Sequence, residues 1–347
     1  MKKITASAIA MTLAISAGSA MAANLSVQEQ MGRHLYQDKD LSWNRTQSCA
    51  TCHHRSSGFA DPTNSRDPEN TMVSLGDDGI SLGGRNAPTS AYAGYSPILA
   101  QNAAGEWIGG MFWDGRMTGE VLGDPLAEQA QGPPLNPVEM NMPDVASVVA
   151  RVEESQYAQL FIENYGTTFF DDPIAAYDEI ARLIAAYERS GELNPFNSRY
   201  DRDELTAAEA RGLAVFRKAG CDSCHSLTPP AGAPGPVFTT YGYANIGVPN
   251  NPLVNPDPDL GLGYVKAGED GKFKIPTLRN VAETAPYSHN GYFPTLTAMV
   301  SFHNDRGGLT PDVEENLVDP VNVALNTQEI ADVVAFLGAL TDVSTKR

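Results

Sequence analysis

The pattern Cys-x-x-Cys-His occurs twice, as Cys49-Ala50-Thr51-Cys52-His53 and Cys221-Asp222-Ser223-Cys224-His225, and the two copies use all four cysteines of the chain. That spacing is the signature of covalent c-type haem attachment. Each sulfur forms a thioether to the haem edge, and the adjoining histidine offers the iron its proximal nitrogen. Two attached haems would make this a redox protein. Other uses of Cys-x-x-Cys fit less well. A zinc site wants a second ligand pair roughly 12–20 residues on, whereas these pairs lie 172 positions apart (221 − 49). A thioredoxin-like dithiol needs no trailing histidine. Disulfide frameworks belong to short, cysteine-dense chains, not to four cysteines in 347 residues.

Each motif needs an element to hold it, and both follow helix-like segments. One runs from Val27 to Tyr36 toward Cys49; the other runs from Leu205 through Gly212, Leu213 and Phe216 toward Cys221. Thr206 with Glu209 three residues later forms a capping box for the second. Near the C-terminus, Thr327 and Glu329 open a helix with an apolar stripe of Ile330, Val333, Val334, Phe336, Leu337 and Leu340. Helical periodicity also fills Asp144 to Ser190, until Asn194-Pro195-Phe196 interrupts it. Residues 56–143 and 226–294 are rich in Gly, Pro, Asn and Asp and show little periodicity. Loops of that length are usually functional, and here they are expected to wrap the haems. The expected fold is mainly α: two cytochrome c-like domains, residues 24–197 and 198–347, each with one covalently attached haem and long irregular loops.

Residues 1–22 read as a signal peptide, with Lys2 and Lys3, an apolar run from Ala8 to Ala17, and small residues at Ala20-Met21-Ala22. The run is shorter than the roughly 20 residues of a membrane span, and no later stretch could serve as one. Haem attachment of this type takes place outside the bacterial cytoplasm, so the expected location is the periplasm or the cell surface. The formal charge is −18, and removal of Lys2 and Lys3 would take it two units further. So acidic a surface argues against nucleic acid and for soluble or basic partners.

From Gly84 onward the chain resembles the bacterial dihaem cytochrome c peroxidase and MauG family. The stretches that carry the resemblance include Arg85-Asn86-Ala87-Pro88-Thr89, Phe112-Trp113-Asp114-Gly115-Arg116 and Glu128-Gln129-Ala130-Gln131-Gly132-Pro133. To these add Asn136-Pro137-Val138-Glu139-Met140, Pro276-Thr277-Leu278-Arg279-Asn280 and Ala285-Pro286-Tyr287-Ser288-His289-Asn290-Gly291. With both haem motifs in order, the resemblance spans about residues 25–341.

The resemblance implies a peroxide site at the N-terminal haem. Glu139 matches the general acid/base, Gln129 a polar neighbour for the departing charge, and Pro133 a wall that cannot coordinate iron. Trp113 matches an aromatic stepping stone between the two irons, and Trp107 is expected to be a buried structural residue. A six-residue insertion around Gly119 to Asp124 separates Trp113 from Gln129. The family also holds a calcium ion between its domains. Asn86 matches its asparagine ligand, and the carbonyls of Lys274 and Pro276 are candidate partners, oxygen ligands that suit this hard ion. Arg85 and Arg279 are expected at haem propionates or else in solvated salt bridges, and His289 near a haem edge.

Two departures from the peroxidases stand out. Many of them block the N-terminal haem with a loop histidine until the partner haem is reduced, but Gly76-Asp77-Asp78-Gly79-Ile80-Ser81-Leu82-Gly83-Gly84 contains none. His54 is geometrically poor as a distal ligand beside His53. The N-terminal iron should then be five-coordinate without reductive activation. At the C-terminal haem, counting from Thr295-Leu296 lands on His303 where the family places Met or Tyr as sixth ligand, with Met299 as the alternative. A histidine pair would favour the oxidised state relative to His/Met ligation.

The resemblance thus implies a periplasmic dihaem c-type peroxidase that reduces hydrogen peroxide to water. Its electrons would come from a small cytochrome c or copper protein, and relatives are often homodimers. A rival reading is a MauG-like oxidase that modifies a residue of a partner protein. A third is a non-catalytic dihaem electron carrier.

Overall fold

In the computed structural model, which describes residues 24–320 and 324–345, the chain is mainly helical. The expected leader, 1–22, lies outside the described residues. The N-terminal half holds α1 (Val27–Gln37), α2 (Cys49–Cys52), α3 (Pro62–Arg66), α4 (Pro125–Ala130), α5 (Gly132–Leu135), α6 (Val145–Glu153), α7 (Ala158–Tyr165) and α8 (Pro173–Glu188). The C-terminal half holds α9 (Ala207–Lys218), α10 (Leu296–Asp305) and α11 (Thr327–Gly338). Among the described residues, sheet is confined to two antiparallel ribbons: β1 (Ala100–Gln101) with β2 (Trp107–Ile108), and β3 (Tyr243–Ala244) with β4 (Phe273–Lys274). No described helix is long and apolar enough to cross a membrane.

Capping residues set where the lead-in helices begin. Ser26 and Glu29 close a reciprocal box on α1, and Thr206 with Glu209 does the same for α9. In α11 the cap is Asn326, one residue before the Thr327 start expected from sequence. Its Oδ1 accepts the N–H groups of Gln328 and Glu329 at 2.9 and 3.0 Å.

The two halves repeat one packing scheme. Helix α1 lies across α8, and α9 lies across α11. A glycine makes each close approach possible: a Cβ on Gly32 would collide with the Leu183 carbonyl and Tyr187 Cβ, and one on Gly212 with the Asp332 carbonyl and Phe336 Cβ. One turn further on, Tyr36 meets Tyr187 with ring centroids 5.2 Å apart, and Phe216 meets Phe336 at 5.3 Å. Around these crossings grow two apolar clusters. One gathers Met31, Leu35, Val148, Phe161, Ile180 and Leu183; the other gathers Phe216, Phe238, Phe293, Phe302, Val333 and Phe336. Each buried side chain of this size contributes on the order of 1.5–3 kcal/mol of transfer free energy. Cys49 packs against the first cluster and Cys221 against the second.

Trp107 is half-buried in β2 beneath the Lys266 ammonium, 4.3 Å from the ring centroid, rather than in a core. The expectation of a buried structural tryptophan is corrected accordingly. A two-residue ribbon whose first strand is exposed is too small to enclose an indole.

Candidate active site

Helix α2 is a single turn, and its i, i+3 spacing puts Cys49 and Cys52 on one face. His53 ends it, and its Nδ1 lies 3.2 Å from the Phe59 carbonyl, with the Pro88 carbonyl also in hydrogen-bond reach. In the second motif His225 Nδ1 lies 3.0 Å from the Phe238 carbonyl and is also served by that of Pro276. A carbonyl on Nδ1 selects the tautomer whose Nε2 is left for a metal. The device is duplicated in detail. Thr89 Oγ1, next to Pro88, donates to the Gly58 carbonyl at 2.6 Å; Thr277 Oγ1, next to Pro276, donates to the Val237 carbonyl at 2.6 Å. Phe59 and Phe238 both adopt positive φ, 63° and 54°, which turns each carbonyl back to its imidazole.

In the C-terminal half a cavity of about 650 Å³ has Cys221, Cys224 and His225 in its lining together with Met299 and His303. Met299 and His303 sit one turn apart on α10, and His303 Nδ1 lies 3.0 Å from the Met299 carbonyl, which leaves Nε2 for the cavity. Burial lowers the pKa of both imidazoles. That of His225 falls to about 4, with the nearby His303 adding to the shift. His289 is buried in the same wall, stacked on Phe273 at 3.5 Å, and its Nε2 has no hydrogen-bond partner. A planar, largely apolar group that takes neutral imidazole nitrogens as metal ligands would fit this lining. Burial raises the Cys52 thiol to about 12 and that of Cys221 to about 11, which keeps them protonated rather than thiolate nucleophiles.

On the N-terminal side the acid/base candidate is held from both ends. Glu139 Oε1 accepts from Asn136 Nδ2 at 2.8 Å, and its own backbone carbonyl accepts from Asp77 N–H at 2.7 Å. Burial raises the Glu139 carboxyl, while Arg116 and the Asn136 amide pull it back down. Its charge is felt at Cys49 and Cys52, which puts it at the first haem motif. Pro133 opens the same knot: its carbonyl accepts from Asn136 and Met140 N–H groups at 3.2 Å each. Gln129 is half-buried on α4, four residues before Pro133, and hydrogen-bonds neither Asn136 nor Glu139.

The loop lacking histidine, Gly76 to Gly84, lies against this acid. The buried Asp77 carboxylate gathers the N–H of Asn44 at 2.7 Å and the Thr46 hydroxyl at 2.7 Å; burial alone would raise its pKa, but these hydrogen bonds outweigh it and leave the pKa lowered. Of the six histidines, His34 stacks on Tyr157 at 5.2 Å and the exposed His54 accepts from Ser56 N–H. Neither approaches the Glu139 knot.

Trp113 joins the halves. Its Nε1–H donates to the Asn86 carbonyl at 2.9 Å, and its own carbonyl accepts from Lys274 N–H at 2.8 Å. Asn86, Trp113, Lys274 and Pro276 line the same cavity as His225. The Asn86 side chain donates to the Met72 carbonyl at 2.9 Å, which leaves Oδ1 as its acceptor. Lys274 Nζ donates to Ser96 Oγ and the Gly109 carbonyl, both at 2.9 Å, and burial lowers its pKa to about 7.

Arg85 and Arg279 both sit in ion pairs, and these are largely buried rather than solvated. Arg85 bonds Asp259 through Nε and Nη2 at 2.7 Å each and Asp114 through Nη1 at 2.6 Å. Arg279 is fully buried against Asp201 and the Pro236 carbonyl. In both cases a carboxylate in the fold satisfies the guanidinium.

The inserted loop is also explained. The buried Glu128 carboxylate accepts the N–H groups of Gly119, Val121 and Leu122 at 2.7–2.9 Å. Sequence reasoning did not single out Glu128, Asn136, Arg116 or Glu188. Glu128, Asn136 and Arg116 stand inside the quoted family motifs, the one signal for them, and Glu188 stands outside these.

A family model described as di-haem cytochrome c peroxidase matches residues 26–208. The chain is 40% identical to the methylamine utilization protein MauG of Paracoccus denitrificans, over 82% of this chain and 76% of that protein. It is 32% identical to the cytochrome c551 peroxidase of Pseudomonas aeruginosa, over 84% and 76% respectively. The fold is similar to the crystal structure of the diheme peroxidase BthA from Burkholderia thailandensis, with a TM-score of 0.80, 31% identity, and coverage of 92% of this chain and 86% of that one. The repeated haem motifs, their duplicated imidazole supports and these likenesses agree: the chain belongs to the di-haem cytochrome c peroxidase family and is an oxidoreductase of two c-type haems.

Proposed function

We propose that the protein is an exported, periplasmic peroxidase that reduces hydrogen peroxide to water, H₂O₂ + 2e⁻ + 2H⁺ → 2H₂O. A small soluble cytochrome c or copper protein supplies the electrons singly. In this reading residues 24–197 and 198–347 form two domains. The first carries its haem on Cys49, Cys52 and His53 and is the peroxide site; the second carries its haem on Cys221, Cys224, His225 and His303 and relays electrons. The bound haem supplies the iron place for peroxide and the electrons that cleave its O–O bond. Everything else falls to side chains. Glu139 would take a proton from one peroxide oxygen and return it to the other, so that water could depart. Asn136 holds the carboxyl in place, Pro133 walls the pocket, and Gln129 offers a dipole to the departing oxygen. Trp113 lies on the electron path, and a calcium ion on Asn86 Oδ1 and the carbonyls of Lys274 and Pro276 ties the domains.

The observation that carries this reading is a half-buried carboxyl, raised by burial, at the first haem motif beside a loop without histidine. A second reading, oxidation of a residue on a partner protein, draws on the same missing histidine and on the likeness to MauG. Glu139→Gln tests the site. The diferric holoprotein is mixed with peroxide without reductant, and the Soret change is followed. Wild type should react at once, and the variant should lose about 10²–10⁴-fold in rate. A variant within about twofold of wild type would remove Glu139 from the chemistry. Oxidation of a small reduced cytochrome with two equivalents per peroxide favours the peroxidase, and its absence favours the second reading.

A further inference from the structure

The segment Phe112-Trp113-Asp114-Gly115-Arg116 supplies more than its tryptophan. Its last residue lies in an unusual setting. The Arg116 guanidinium carbon is 3.9 Å from the centroid of the Phe112 ring, close enough for cation–π attraction. The edge of that ring lies 3.3 Å from where a Cβ on Gly132 would be, one residue before Pro133. The platform under Arg116 therefore rests on the wall of the peroxide pocket. Asp114, only 5% exposed in its side chain, pins the cation: its Oδ2 accepts from Arg116 Nη1 at 2.8 Å, and its Oδ1 accepts the Arg116 backbone N–H at 3.1 Å.

Asp114 does not belong to Arg116 alone. The same Oδ2 accepts from Arg85 at 2.6 Å, and Arg85 forks onto Asp259. Arg116, Asp114, Arg85 and Asp259 thus form a row of alternating charge that starts beside the peroxide pocket and ends in the C-terminal half. Because Asp114 divides one carboxylate between two guanidiniums, Arg116 is fixed in place while part of its positive field remains for other partners. The Arg116 side chain is 43% exposed, and its platform touches Gly132, next to the Pro133 carbonyl that anchors Asn136, the residue that holds Glu139; its charge acts to lower the Glu139 carboxyl.

We propose that Arg116 is a positioning residue for the peroxide reaction, a cation that the Asp259–Arg85–Asp114 row holds beside the pocket wall to stabilise the Glu139 carboxylate. This rests on Glu139 being the acid/base, as above. The other groups facing Glu139 do not compete for that role. Asn136 is neutral, Cys49 and Cys52 do not titrate once they are thioethers, and the Asp77 carboxylate is turned onto Asn44 and Thr46. With the carboxylate stabilised, Glu139 can receive a peroxide proton at a lower pH than burial alone would allow.

The test is the pH profile of peroxide reaction in the diferric holoprotein, for wild type, Arg116→Gln, Arg116→Lys and Glu139→Gln. Reaction needs the carboxylate, so the rate rises with pH through the Glu139 pKa. Arg116→Gln should move that rising limb about one pH unit to higher pH, and Arg116→Lys should restore it, with an unchanged resting spectrum in both. A limb unmoved in Arg116→Gln would show that Arg116 is an ordinary solvated ion pair and overturn the proposal. A limb that persists in Glu139→Gln would instead overturn the assignment of Glu139 itself.

Discussion

Glu188 shows how strongly burial alone can act on one residue. It is 4% exposed on α8, close to Cys49 and Tyr36, and its Oε2 finds no hydrogen-bond partner. Burial pushes its carboxyl up to about 8. An acid raised in this way is neutral in the fold and ionised when unfolded. Its contribution to stability is complete below the unfolded pKa near 4.3, declines as pH rises toward 8, and is flat above. Glu188→Gln keeps the shape and removes the ionisation. The variant should match wild type near pH 4 and exceed it at pH 8 by on the order of a few kcal/mol, read from denaturant unfolding of the holoprotein at both values. Parallel pH dependence in the two proteins would show that Glu188 is not carried neutral. None of this was visible in the sequence, where Glu188 is one of 42 acidic residues. The cysteines and their histidines were legible because Cys-x-x-Cys-His has a fixed spacing. Asn136, Arg116 and Glu188 owe their roles to what folds over them.

At the level of elements, the helices that carry capping boxes and periodic apolar faces were legible, because the signals that start them are local. The glycines at their crossings were not, since a requirement for no side chain appears only when a second helix arrives. Gly212→Ala should destabilise the protein by about 1–3 kcal/mol through overpacking against the Asp332 carbonyl, despite Ala being the better helix former. Gly338→Ala is the control in α11, where a Cβ would meet nothing within 4 Å, and it should be stabilising by about 0.5–1 kcal/mol. Thermal unfolding of the two variants checks the contrast, and a neutral Gly212→Ala would contradict the close crossing. The long loops stayed unreadable for a related reason. They are held by buried carboxylates such as Asp77 and Glu128, which collect backbone N–H groups from neighbouring loops. No periodicity records such bonds.

Across the whole molecule, one scheme is used twice: a lead-in helix with its glycine, a Cys-x-x-Cys-His turn, a phenylalanine carbonyl and a Pro-Thr pair on the imidazole, and a closing helix. What differs between the copies is the far side of each site. The second has Met299 and His303 on α10 within its cavity. The first has Glu139, Asn136 and Pro133, none of which is a haem-iron ligand of the usual kind, beside a loop without histidine. In the proposed function that asymmetry would give one haem to peroxide and the other to electron transfer. Electron paramagnetic resonance of the resting diferric holoprotein at low temperature reads it directly. The account predicts one high-spin and one low-spin ferric signal in equal amounts, and two low-spin signals would contradict it.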